Sequence, residues 1–182
     1  MKKIAWLITG SLSAASLPGI LHFFKTEIKT IDVEAFLTKS AASIVTPVAV
    51  STLSGAPVQF DLWGMDKEYF PKHVLMEERY DAFVVAPATL NFLTNFISYD
   101  CSTPLSLAIQ CTKKPILLAP CLPPGGNESV AFRRVESELG AWENVFLLPP
   151  ISTVSASSVT QRSSGFGSSS RLIEFILDLL VE

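Results

Sequence analysis

Lys3-Ile4-Ala5-Trp6-Leu7-Ile8-Thr9-Gly10-Ser11-Leu12-Ser13-Ala14-Ala15 is the stretch that decides the fold. Ile4 through Ile8 are apolar without alternation, which is how a strand covered by helices on both faces reads. The run stops at Thr9-Gly10, small residues and two hydroxyls follow, and a helix is expected over Ala15–Lys25. Lys2-Lys3 ahead of an apolar run also suits a secretory signal, but the five apolar residues fall short of the signal core's length of ~7–15. Cleavage would also remove a strand that the rest of the pattern requires. The stretch is therefore read as strand, turn and helix.

The same order recurs down the chain. Strands are expected at Lys3–Thr9, Ile31–Leu37, Val58–Phe60, Asp81–Ala86, Ile116–Pro120 and Val145–Leu148. Between them the spacing predicts helices near Ala15–Lys25, Ala41–Leu53, Lys72–Glu78, Ala88–Ser98, Pro104–Cys111, Glu128–Leu139 and Leu172–Leu180. In the last, Leu172, Ile173, Phe175, Ile176, Leu179 and Leu180 form an apolar stripe at helical period. Strands alternating with helices give βαβ units around a parallel sheet. The fold class is α/β, a single doubly wound Rossmann-like domain over residues 1–182.

Composition bounds the function. A chain of 182 residues is about one domain and large enough for a core without disulfides or metal. Charged residues are only 17%, against a typical share of about 25%. That shortfall points to surface covered by further copies of the chain. The net charge of −3 argues against nucleic acid as partner, and no apolar run is long enough to span a membrane. Cys101, Cys111 and Cys121 follow neither a CxxC nor a zinc spacing. They read as reduced thiols of a cytoplasmic protein, mostly core fillers, and no metal is expected.

Ligands of doubly wound sheets bind beyond the carboxyl ends of the strands. After strand one, Gly10, Ser11 and Ser13 offer a flexible turn, hydroxyls and a helix start, which together suit a phosphate. After strand two, Thr38 and Ser40 repeat the hydroxyl pattern, and an ordinary helix cap explains them as well. Neither loop is GxGxxG or carries the P-loop lysine, so NAD(P) and ATP are disfavoured. Gly165-Phe166-Gly167 lacks a third glycine and is set aside, as no strand is expected before it. After strand four, Asn91 stands in Ala86-Pro87-Ala88-Thr89-Leu90-Asn91, and an amide there can grip a carboxylate or oxyanion, or simply face water. His73, at a helix start, suits acid–base work near neutral pH, whereas His22 among Leu21, Phe23 and Phe24 reads as structural.

Together these pieces resemble the homo-oligomeric flavin-containing cysteine decarboxylases. That family includes the lantibiotic-type peptidyl-cysteine decarboxylases and the phosphopantothenoylcysteine decarboxylases of coenzyme A biosynthesis. The matching runs are Ile8 to Ala15, Leu37 to Ala42 through Thr46-Pro47, Leu53 to Val58, Lys72-His73-Val74, Tyr80-Asp81 and Ala86 to Asn91. The last looks like the family's Pro-Ala-Ser/Thr-Ala-Asn signature. Order and spacing hold from residue 3 to about residue 120.

The resemblance implies FMN, or FAD, with its phosphate on the first two loops (Gly10, Ser11, Ser13, Thr38, Ser40) and its ring near Ala86, Pro87, Ala88, Thr89 and Asn91. His73 and Asn91 would be catalytic, with Asn91 on the substrate carboxylate. Cys121, where the family carries a substrate-contacting Asn nearby, and Arg162, the one charged residue of 151–170, are read beside them as substrate contacts, with a strand-end filler as the alternative for Cys121. The substrate implied is a precursor peptide ending in cysteine. Hydride leaves Cβ of the thiolate for the flavin, and the electron pair freed with CO2 flows into the resulting C=S bond, giving an enethiolate. The implied assembly is a homo-oligomer built on trimers, up to a dodecamer, with flavin near a subunit boundary.

Three departures stand out. Pro120-Cys121-Leu122-Pro123-Pro124-Gly125-Gly126 replaces the family's Pro-x-Met-Asn, and Tyr99-Asp100-Cys101-Ser102 replaces an Asn-Gly followed by acidic residues. The segment 151–170, expected as a flexible substrate clamp, holds nine serines and no cysteine, whereas the coenzyme A enzymes carry one there. That favours the peptide decarboxylase. A phosphopantothenoylcysteine decarboxylase and a non-catalytic flavin-fold subunit remain the alternatives.

Overall fold

The computed structural model describes residues 1–64, 72–155 and 158–180, with backbone alone at 154–155 and 158–161. Strand β1 (Lys2–Ile8) enters a 3₁₀ turn (Leu12–Ser16) and helix α1 (Leu17–Glu27). Then come β2 (Ile31–Leu37), α2 (Lys39–Ala42), α3 (Pro47–Ser54), β3 (Gln59–Phe60), α4 (Lys72–Arg79), β4 (Ala82–Thr89) and α5 (Leu90–Ile97). The chain continues through α6 (Pro104–Cys111), β5 (Ile116–Cys121), α7 (Val130–Leu139), β6 (Val145–Leu147), β7 (Ile151–Ser155), β8 (Ser158–Gly165) and α8 (Ser169–Leu180).

Six strands form one parallel sheet in the order β3-β2-β1-β4-β5-β6. Strand side chains alternate between faces, so β1 feeds two cores. Ile4, Trp6 and Ile8 join Leu17, Leu21 and Phe24 of α1 and Leu172 and Ile176 of α8. Ala5 and Leu7 join Leu93 and Phe96 of α5, Leu105 and Ile109 of α6 and Phe132 of α7. Buried Trp6 donates its indole N–H to the carbonyl of Ala86 at 2.9 Å, which satisfies its polar end.

The expected strands and helices are present, with local differences at their ends and in four places of more consequence. The helix expected from Ala15 begins at Leu17, after the 3₁₀ turn, with Pro18 in its first turn. The helix expected over Ala41–Leu53 is broken in two, because Pro47 starts α3 under a cap from Thr46. Ala88 and Thr89 belong to β4, not to a helix, since Thr89 is the cap that accepts from the N–H of Phe92. Residues 151–155 and 158–165 form an antiparallel hairpin, β7–β8, where composition gave no strand signal. Its serines satisfy no apolar pattern; the pairing rests on backbone hydrogen bonds and a bridge between Ser164 and Leu122, just past β5. Residues 156 and 157 of that segment lie outside the described residues.

Candidate active site

Strand order reverses between β1 and β4, so the loops leaving their carboxyl ends diverge there and open a crevice. One side chain ties the two ends together. Thr9 donates its hydroxyl to the carbonyl of Pro87 at 2.6 Å, and accepts from the N–H of Thr89 at 3.1 Å.

Two adjoining cavities occupy the crevice, of about 490 Å³ and about 530 Å³, and both are lined by Gly10, Thr89 and Asn91. The first lies against Thr38, Ser40, Asp61, Phe92, Asp100 and Thr103. The second lies against Ser11, Ser13, Cys121, Pro123, Ser164 and Gly165. The first two loops meet at their tips: a Cβ on Gly10 would lie 2.4 Å from Cβ of Ser40. Only glycine permits that approach, which packs the first loop's backbone directly against Ser40. Ser11 caps the 3₁₀ turn by accepting from the N–H of Ser13 at 3.4 Å, and Thr38 caps α2 by accepting from Ala41 at 3.1 Å.

The second cavity is roofed by the hairpin. Leu122, just past β5, donates its N–H to the carbonyl of Ser164 at 2.7 Å, which holds β8 over the end of β5. Cys121 lies beneath, its thiol donating to the hydroxyl of Ser13 at 3.3 Å. Burial pushes that thiol up, although Ser13, the N–H of Phe166 and Ser11 partly offset it. A strand does precede Gly165, which ends β8, and a Cβ there would be 3.3 Å from the Cys121 sulfur.

The expected site residues separate into those at the crevice and those away from it. Gly10, Ser11, Ser13, Thr38, Ser40, Thr89, Asn91 and Cys121 all line one or both cavities. Asn91 is exposed at the start of α5 and faces both. Ala86, Pro87 and Ala88 are buried within β4 and line neither; the carbonyls of Ala86 and Pro87 anchor Trp6 and Thr9 instead. Arg162 is exposed on β8, outside both cavities. His73 lies on α4, half-buried and also outside them, with its ring edge-on to Trp63 at 6.0 Å. Its Nδ1 is buried without a hydrogen-bond partner among the described residues.

Asp61 was not singled out from the sequence, although it directly follows strand three. It is 4% exposed at the first cavity, where its carboxylate accepts from the Thr103 hydroxyl at 2.7 Å and from the N–H of Leu105 at 2.9 Å. Burial raises its carboxyl above the usual range, Thr103 and Leu105 oppose that, and Asp100 adds to it. Among the described residues there is no cluster of side chains fit to hold a metal ion, and no helix long and apolar enough to cross a membrane.

Residues 1–177 match the flavoprotein family. The chain belongs to that family. The flavoprotein is 28% identical over 161 residues to the cypemycin cysteine dehydrogenase (decarboxylating) of Streptomyces sp, covering 87% of this chain and 82% of that one. It is also 28% identical over 121 residues to the coenzyme A biosynthesis bifunctional protein CoaBC of Haemophilus influenzae, covering 66% of this chain. The flavoprotein spans only 30% of the length of that bifunctional relative. Its fold matches that of the solved FMN-dependent cysteine decarboxylase SpaF, with a TM-score of 0.76 at 20% identity over 97% of this chain and 98% of that one.

Proposed function

We propose that this flavoprotein is an FMN-dependent peptidyl-cysteine decarboxylase, converting the C-terminal cysteine of a precursor peptide to an enethiolate. The observation that carries the reading is the pair of cavities meeting at Gly10, Thr89 and Asn91, one beside the loops suited to a flavin and one beneath a hairpin. The likeness to the cypemycin enzyme across most of both chains supports the same substrate class.

The residues present fit a flavin mononucleotide. Gly10 lets the first loop pack against Ser40 where the two cavities meet, and the hydroxyls of Ser11 and Ser13 and the N–H groups at the start of α5 supply neutral donors nearby. Bound FMN would supply the acceptor for the two electrons that leave the cysteine Cβ. Asn91 would hold the peptide carboxylate with its amide N–H, where both cavities meet. The hairpin would cover the peptide end and exclude water, and Cys121 would present a neutral thiol to the substrate sulfur. His73 would take the substrate thiol proton.

Because His73 lies outside the crevice of its own chain, the reading includes self-association that brings His73 to a neighbour's site. Exposed Trp63, Val74 and Leu75 around it offer the apolar surface for such a contact. A trimer-based assembly follows the low charged fraction and the family likeness. Three free thiols suit a reducing, cytoplasmic setting. The absence of cysteine from residues 151–170 leaves the enethiolate as the end product, which favours this reading over a coenzyme A pathway decarboxylase.

The test is mass spectrometry of synthetic peptides ending in cysteine, incubated with the FMN-loaded protein. Loss of CO2 together with two hydrogens supports the reading. Unchanged peptides across varied sequences, from a yellow and folded protein, would leave the non-catalytic flavin-binding subunit.

A further inference from the structure

Charge divides the two cavities. The first carries Asp61 and Asp100, and no Lys, Arg or His lines it among the described residues. Among the described residues the second carries no carboxylate; Ser11, Ser13, Thr153, Ser163 and Ser164 offer hydroxyls there. The N–H of Asp61 donates to the carbonyl of Leu37 at 3.1 Å, which sets the Asp61 backbone beside the second loop, and Asp61 and Thr38 line the same cavity.

A carboxylate only accepts, and its two oxygens have room for about four hydrogen bonds. Thr103 and Leu105, at the start of α6, take two of them. The cavity side is left to accept from a ligand. A phosphate brings no donor at neutral pH and adds like charge. The rest of FMN is the reverse, since its ribityl hydroxyls and ring imide N–H are donors and are uncharged.

Building on the flavin site proposed above, we infer that Asp61 sets the direction in which the flavin lies. It accepts from donors on the uncharged part and turns the phosphate towards Gly10, Ser11 and Ser13. Thr38 and Ser40 then serve the uncharged part, a different division of labour from a phosphate held by both loops.

The test is titration of the full-length protein with FMN, riboflavin and lumiflavin, followed by flavin fluorescence. Asp61→Asn keeps an oxygen for Leu105 and removes the charge. It should weaken FMN and riboflavin by the same factor, about 5- to 30-fold, the difference between a charge-assisted and a neutral hydrogen bond. Lumiflavin lacks the ribityl chain and keeps the imide. A matching loss for lumiflavin assigns the donor to the ring, and an unchanged lumiflavin affinity assigns it to the ribityl hydroxyls; both support the inference. It is overturned if Asp61→Asn changes FMN affinity but not riboflavin affinity, because Asp61 then lies beside the phosphate. It is equally overturned if no flavin responds, because Asp61 then only caps α6. Asp61→Ser, which keeps a smaller acceptor, gives the same comparison if the asparagine variant fails to fold. An unmodified protein that binds none of the three flavins would instead remove the site assignment itself, and this inference with it.

Discussion

The sulfur of Cys121 lies 3.3 Å from the hydroxyl of Ser13, across 108 positions of sequence. The contact joins the end of β5 to the first loop, directly under Gly165 of the hairpin. Burial favours the neutral thiol. Near neutral pH iodoacetamide should therefore modify Cys101 and Cys111, both exposed, well before Cys121, because the thiolate is the attacking form. Mass spectrometry of timed digests measures the order. Equal rates would contradict the sheltered thiol described here.

Close approach at the first loop gives a second expectation. In Gly10→Ala the new Cβ meets Cβ of Ser40 at 2.4 Å and the Ser40 carbonyl carbon at 3.3 Å, so backbone must move. Denaturant unfolding should show a loss of about 1–3 kcal/mol, with weaker flavin binding. Gly19→Ala is the control, since nothing stands within 4 Å of that Cβ in the first turn of α1, and it should cost nothing and gain at most about 0.5–1 kcal/mol. Ser11→Asp leaves the backbone alone but sets a carboxylate against the phosphate, and should yield a folded, colourless protein. Retained yellow colour would place the phosphate elsewhere.

Acid sensitivity should trace in part to Glu34. Burial on β2 pushes its carboxyl up, but the Tyr80 hydroxyl at 2.7 Å, Arg79, and Lys3 at 3.1 Å together hold it below its ordinary value. A carboxyl lowered in the folded state contributes stability above its unfolded pKa of roughly 4.3, and loses it as pH falls towards the folded value. Glu34→Gln should thus cost about 1–3 kcal/mol at neutral pH, and progressively less below roughly pH 4. Parallel stability curves for the two proteins across that window would remove Glu34 from the account.

The roles proposed for His73 and Asn91 separate by phenotype. His73→Asn should keep flavin and oligomer while slowing peptide decarboxylation by ~10²–10⁴, the usual worth of a positioned acid–base group. Asn91→Asp should bind peptide less well than Asn91→Ala, because it sets like charge against the substrate carboxylate. Turnover and peptide affinity measured on the same preparations decide both. A His73→Asn protein that decarboxylates at the unmodified rate loses His73 its role, and Cys121→Ala becomes the next variant to examine.

The sequence by itself determined the sheet and the loops that line the crevice at its carboxyl edge. Unbroken apolar strands such as Ile4–Ile8 need cover on both faces, and that forces helices between parallel strands whose carboxyl ends carry Gly10, Thr38, Thr89 and Asn91. Tertiary structure alone decided which of these residues share a cavity. Cys121 and Ser13 meet only because β5 and β1 both flank β4, and Asp61 reaches α6 only because a two-residue strand pairs with β2. Long-range contacts of this kind leave no periodic trace in the chain. The hairpin escaped notice for a related reason: β7 and β8 are held by backbone hydrogen bonds, which any serine-rich segment can make, and not by an apolar pattern that composition would reveal. His73 illustrates the opposite limit, since its place on α4 was legible while its distance from the crevice was set by how α4 docks against α6 and the sheet.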